Sequence, residues 1–165
     1  MQKIAIIGTT TWGMTLACLL ANKGLDIRLW ARTEPEADSL RKNGPDPARY
    51  PEITLPRQIL ITSNAAAAMA KVNAVILVVP SPTMRQNISQ VAGYLTRATL
   101  VISAAKGLET GSNKRMSQVI AEEVSPRYHA NICVLSGPNL AREIIRQLPA
   151  AAVLAAADKG IARKA

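Results

Sequence analysis

The chain has 165 residues, 48% of them apolar and 3% aromatic with no Phe, and it carries a formal charge of +9. That length fits one domain with a sizeable aliphatic core, and no apolar run approaches membrane-spanning length. The basic residues are scattered and lack interleaved aromatic side chains, which argues against a nucleic-acid surface and for anionic small ligands or a more acidic partner segment.

In chain order, Lys3 to Ile7 reads as a buried strand closed by Gly8. Thr9 to Gly13 forms a turn into a helix over Met14–Asn22, with Leu16, Leu19 and Leu20 at helical spacing. Asp26 to Trp30 is the second strand. Strand, glycine turn, helix and strand within about thirty residues is the context in which a G-x-G-x-x-G fingerprint becomes meaningful. The helix would aim its free N–H groups and positive dipole end at the turn, a site for a pyrophosphate. The three fingerprint positions hold Gly8, Thr10 and Gly13. Gly8 permits the tight turn and Gly13 the close helix–strand contact. Thr10 departs from the usual glycine: its side chain either pushes a cofactor outward or hydrogen-bonds a phosphate oxygen.

Thr33 is placed to cap the next helix, with Pro35 in its first turn and Glu36 completing a capping box; Asn43-Gly44 ends it. Gly44 to Pro56 reads as a surface loop, Gln58 to Thr62 as the third strand, and Ser63 as the cap of a short Ala-rich helix to Ala70. Ala74 to Val79 is a continuous aliphatic run, the pattern of a central parallel strand covered on both faces. Pro80-Ser81-Pro82 breaks it ahead of a helix over Met84–Leu95. Strands follow at Leu100–Ser103, Ile132–Leu135 and Ala150–Ala156, with helices at Lys114–Glu123, Leu140–Arg146 and from Asp158 onward. The alternation predicts an α/β domain with a doubly wound, mostly parallel sheet of the Rossmann type, over residues 1–165 as one unit. Ligands in such sheets lie beyond the carboxyl ends of the strands, here the loops Gly8–Gly13, Trp30–Thr33, Val79–Thr83, Ala104–Leu108 and Ser136–Ala141.

Cys18 and Cys133 are two isolated thiols, each in an apolar element, which suits a reducing cytoplasm; no Cys/His spacing suggests a metal site. The chain opens directly on a strand, so no signal peptide is expected. Arg32 follows the second strand where an NAD-only site would hold Asp or Glu, and a cation there accommodates a 2′-phosphate. Glu34 is better explained by the helix it opens. His129 lies in a polar connection and has no assigned role.

The motifs GTTTWG, LWAR, VVPSPTMR, SAAKGLE and LSGPNLAREI, in this order, resemble the N-terminal domain of the bacterial NAD(P)-dependent glycerol-3-phosphate dehydrogenases. The resemblance implies NADPH or NADH as cofactor, bound by Gly8, Thr10, Thr11, Trp12, Gly13, Arg32, Pro80, Ser81, Lys106 and Ala141. It implies dihydroxyacetone phosphate and glycerol 3-phosphate as substrates, contacted by Lys106, Gly137 and Asn139, with Lys106 touching both ligands. Hydride transfer for glycerophospholipid synthesis is the implied reaction. The family's second, helical domain carries the acid/base lysine and is not found in these residues, so the chain reads as a fragment or as a naturally isolated domain. A homodimer is compatible with the resemblance. The alternative is a non-catalytic nucleotide-binding or sensing module of the same fold.

Overall fold

The computed structural model describes residues 2–165. Five short strands run parallel in the order β3–β2–β1–β4–β5, and β6 and β7 extend the same sheet. They are β1 (Lys3–Ile7), β2 (Asp26–Trp30), β3 (Leu60–Thr62), β4 (Ala74–Leu77), β5 (Leu100–Ser103), β6 (Ile132–Ser136) and β7 (Val153–Ala156). β6 is parallel to β5, and β7 pairs antiparallel with β6. The doubly wound, mostly parallel sheet is therefore present, with one antiparallel edge strand.

Alternation along the strands feeds two cores. Ile4 and Ile6 of β1 join Ile27, Leu29, Ile76 and Ile102 on one face, against α1 (Thr11–Asn22). Ala5 and Ile7 join Val75, Leu77 and Val101 on the other, against α4 (Met84–Ala92) and α5 (Met116–Glu123). β4 and β5 are buried at every residue, as strands covered by helices on both faces must be. The free thiols Cys18 and Cys133 are buried.

The first helix begins at Thr11, earlier than the Met14 expected from the leucine spacing, because Thr10 caps it. Thr10 Oγ1 accepts from the Gly13 N–H at 3.1 Å and its hydroxyl donates to the Val78 carbonyl at 3.0 Å. The hydroxyl that the fingerprint left unexplained thus has two intrachain partners. It completes the helix start and ties the turn to the end of β4. Gly8 has a φ of +115°, and a Cβ there would lie 2.7 Å from the Val78 carbonyl oxygen. A Cβ on Gly13 would lie 2.2 Å from the Gly8 carbonyl oxygen, so the close helix–strand approach requires glycine.

Other boundaries shift for local reasons. In α2 (Glu34–Asn43), Thr33 caps as expected, but the Glu36 carboxylate bonds the Thr9 hydroxyl instead of closing the box on Thr33. α3 (Ala65–Met69) is capped by Asn64, whose Oδ1 accepts from the Ala67 N–H at 2.9 Å, and not by Ser63. Ser63 instead donates to Glu34, which also pairs with Arg41. The helix after β4 opens with a 3-10 turn at Ser81–Thr83 and stops at Ala92. The loop between α2 and β3 is not wholly superficial, since Ile53 enters the core and the Thr54 carbonyl accepts from the Cys18 thiol at 3.4 Å. α6 (Ala141–Ile145) and α7 (Lys159–Lys164) flank β7 and contain no buried residue.

Candidate functional site

The carboxyl ends of β1, β2 and β4 open into a groove of about 300 Å³. Gly8, Thr9 and Thr10 line it from the turn after β1, Trp30, Arg32 and Glu36 from the end of β2 and α2, and Val79, Pro80, Thr83 and Asn87 from the segment after β4 and from α4. Arg49 and Tyr50, from the loop after α2, close its outer side. Gly8, Thr10, Arg32 and Pro80 were legible from the sequence, whereas Glu36, Arg49, Tyr50 and Asn87 were not. Asn87 and Glu36 sit inside helices, where a groove-facing position has no local signature. Arg49 and Tyr50 lie in a Pro-rich loop whose path the sequence leaves open.

A second cleft, also about 300 Å³, adjoins the first and shares Thr10, Val79 and Pro80 with it. Trp12, Ala104, Ala105, Lys106 and Asn139 line the remainder. Lys106 is exposed and its ammonium donates to the Gly137 carbonyl at 3.4 Å. A Cβ built on Gly107 would lie 2.9 Å from Ser81 Oγ, so the loops after β4 and β5 are in contact at this point. Asn139 is 8% exposed, and its N–H donates to the Gly137 carbonyl at 2.8 Å. Thr11 and Ala141 line a third cavity of about 290 Å³, reached past Arg49 and Tyr50. The buried Thr15 hydroxyl and Glu52 Oε2, both without a partner, border it.

The sequence-derived candidates therefore gather around the carboxyl ends of the parallel strands. Gly13 lies beneath the groove in the helix–strand contact, and Trp12 both packs against the core and lines the second cleft. The first-turn N–H groups of Thr11 and Trp12 have no helical acceptor, as at any helix start. A dinucleotide fits these features: a glycine cradle that a Cβ would fill, first-turn N–H groups without helical acceptors, and two clefts that share Thr10, Val79 and Pro80.

The loop that carries Lys106 is tied down by a cluster of charges. Arg85 on α4 binds Glu109 through Nε at 2.8 Å and Nη2 at 2.9 Å, Glu123 at 2.6 Å and Glu122 at 2.8 Å. Hydrogen bonds from Arg85, then from Ser112, pull the Glu109 carboxyl down to about 2. Glu109 lies three residues after Lys106, so this cluster fastens the lysine's loop to α4 and α5. Burial raises the Cys18 thiol to about 11, which leaves it unreactive at neutral pH. His129 Nε2 meets the Ala121 carbonyl at 2.8 Å, away from the clefts.

Beside these clefts lies an apolar groove bordered by Leu16, Leu19, Leu135, Ile144 and Leu148. Among the described residues no helix is long and apolar enough to cross a membrane.

Residues 3–162 match the family model described as NAD-dependent glycerol-3-phosphate dehydrogenase N-terminus. The chain is 51% identical over its full length to a Dehalococcoides mccartyi protein named glycerol-3-phosphate dehydrogenase [NAD(P)+], of which it covers 46%. A Streptomyces griseus protein of the same name is 40% identical over 98% of the chain, which covers 48% of that relative. The crystal structure of a Coxiella burnetii glycerol-3-phosphate dehydrogenase superposes with a TM-score of 0.85 at 28% identity, over 99% of this chain and 49% of that one. The chain spans about half the length of the relatives it matches.

Proposed function

The chain belongs to the family of NAD-dependent glycerol-3-phosphate dehydrogenase N-terminal domains, and from that membership we propose that it is the cofactor-binding half of such an enzyme. The observation that carries this reading is the pair of clefts joined at Thr10, Val79 and Pro80. One end presents the glycine turn and Arg32, and the other presents Lys106 and Asn139. A dinucleotide would lie along both, with its pyrophosphate against the Thr11 and Trp12 N–H groups. Its nicotinamide would lie beside Pro80 and Ser81. Arg32 would hold a 2′-phosphate, and Ala141 would approach the pyrophosphate from the third cavity.

When bound, the nicotinamide supplies or accepts the hydride. The protein's part is orientation and charge. Lys106 would hold the substrate's phosphate or oxygen with its ammonium, and Gly137 and Asn139 would contact the polyol. A cation beside the substrate oxygen favours the negative charge that develops there as dihydroxyacetone phosphate becomes glycerol 3-phosphate. These residues hold no group suited to the proton transfer, which this reading assigns to a helical domain matching the relatives' other half. Two copies of the completed enzyme would be able to pair as a homodimer, and the setting would be the cytoplasm.

The experiment is a chimera. Joining this chain to the carboxyl-terminal half of the Dehalococcoides mccartyi relative should give NADPH-dependent reduction of dihydroxyacetone phosphate. Lys106→Ala in that chimera should remove most of the activity while NADPH binding persists. A well-folded chimera that binds NADPH but ignores this substrate would favour the sensing-module reading.

A further inference from the structure

Asn87 is 4% exposed, yet it borders the groove at the ends of β1, β2 and β4. It lies in α4, one turn after Thr83, and its Nδ2 donates to the Thr83 carbonyl at 2.7 Å. A carbonyl can only accept, so this bond fixes which end of the amide is nitrogen and which is oxygen. Oδ1 is then the end left over, and no donor among the described residues reaches it. Oδ1 is not among the solvent-excluded atoms without a partner, so this end of the otherwise buried amide keeps contact with solvent and is open to a donor from a ligand or water.

The surroundings narrow the donor. The groove that Asn87 borders is also lined by Trp30, Arg32 and Glu36, and by Gly8 and Thr9. Lys106 and Asn139 belong to the adjoining cleft, which Asn87 does not border. A pyrophosphate offers only acceptors and would be repelled by an amide oxygen. The donors that a dinucleotide brings to this end are the hydroxyls of its adenosine ribose and the exocyclic amine of its adenine.

We propose that Asn87 Oδ1 accepts a hydrogen bond from the adenosine half of the dinucleotide, making Asn87 a cofactor-selecting residue on the buried wall of the groove. This rests on the dinucleotide-binding reading above. Asn87 fits the role because its orientation is set before binding: the Thr83 bond holds the amide, so no side-chain freedom is lost when the ligand arrives.

The test is a calorimetric comparison of wild type and Asn87→Val with NADH, its 2′-deoxy, 3′-deoxy and hypoxanthine analogues, and reduced nicotinamide mononucleotide. Asn87→Val should bind NADH roughly three- to tenfold more weakly, the range of one lost neutral hydrogen bond. The mononucleotide should bind both proteins alike. One analogue should bind both proteins alike as well, and that analogue names the donor: hypoxanthine the amine, either deoxy form the hydroxyl. Asn87→Ala, a better helix former, replaces the valine variant if valine disturbs the fold. Equal NADH affinity in wild type and variant, or an equal loss for NADH and the mononucleotide, overturns the proposal. Failure of the wild type to bind any dinucleotide would instead remove the underlying reading.

Discussion

The two ends of the ligand edge are built differently. At the β1–α1 end, every position of β1 after Lys3 is buried, and the turn is fastened through Thr10 to the Val78 carbonyl and through Thr9 to Glu36. At the β6–α6–β7 end, only Cys133 of β6 is buried, and no residue of α6 or β7 is. Leu140 is 59% exposed and Val153 63%. The residues expected to hold the cofactor thus stand on a finished scaffold. Gly137, Asn139 and Ala141, expected to meet substrate and the cofactor's far side, stand on a lightly packed one. Regions with few buried contacts open at low free energy. On the function proposed above, this difference would leave cofactor binding to these residues and make the substrate side depend on further packing.

The largest break in this contrast should come from Gly13→Ala. Its Cβ would press on the Gly8 carbonyl at 2.2 Å. Overpacking of this kind costs about 1–3 kcal/mol. Moving the turn should also abolish dinucleotide binding. Thermal melting and an NADPH titration check the two effects separately.

Next comes Arg32→Ala, which should lose about 1.5–3 kcal/mol toward NADPH, the scale of a hydrogen bond to a charged group, and little toward NADH. Glu36 shares that groove, and its carboxylate opposes a 2′-phosphate, so Glu36→Gln should move affinity toward NADPH. Titrating both cofactors decides it, and equal losses for the two in Arg32→Ala would remove the assigned role.

Thr10 gives a smaller and sharper comparison. Thr10→Ala should cost about 1 kcal/mol of stability through the lost cap, and Thr10→Gly only a few tenths. Because the hydroxyl already serves Gly13 and Val78, Thr10→Gly should leave dinucleotide affinity unchanged or improved. A large loss of affinity on calorimetry would mean that the hydroxyl is itself a ligand.

The mildest effect concerns pH. The Glu109 carboxyl is lowered from its usual 4.5 to about 2 by Arg85 and Ser112. A lowered folded-state value means that its contribution is present above about 4.5 and is lost as pH falls through about 2. Protection factors for the Lys106 loop, hydrogen exchange taken relative to the intrinsic rate at each pH, should therefore hold steady down to about pH 4.5 and fall progressively below it. The carboxylate is partly exposed and its partner Arg85 more so, so solvent screens the pair and the change should be confined to that loop.

Much of the fold was legible because the strands are short and mostly apolar, and several are closed by Gly, Pro or a capping residue. β1, β2 and β5 fall where the sequence puts them. What escaped were choices between adjacent candidates. Ser63 and Asn64 are both good caps, and Ser63 is drawn off by Glu34, a long-range partner with no local signal. Glu36 is drawn off by Thr9 in the same way. At the site, residues on the strand-end loops were readable from the doubly wound rule. Asn87 and Arg85 were not, because their importance comes from which side of α4 meets the groove and which meets Glu109. Arg49 and Tyr50 depend on a loop path fixed by long-range contacts such as the burial of Ile53 and the Cys18–Thr54 bond.

The central claim is that these residues suffice for the cofactor and not for the reaction. The direct measurement uses one sample of this chain: a titration with NADPH, and optical recording of NADPH oxidation with dihydroxyacetone phosphate. The account predicts saturable binding with turnover at the assay floor, since losing general acid catalysis alone removes about 10²–10⁴-fold. Turnover at ordinary enzyme rates, abolished by Lys106→Ala, would contradict it by showing that the chain carries its own proton-transfer group.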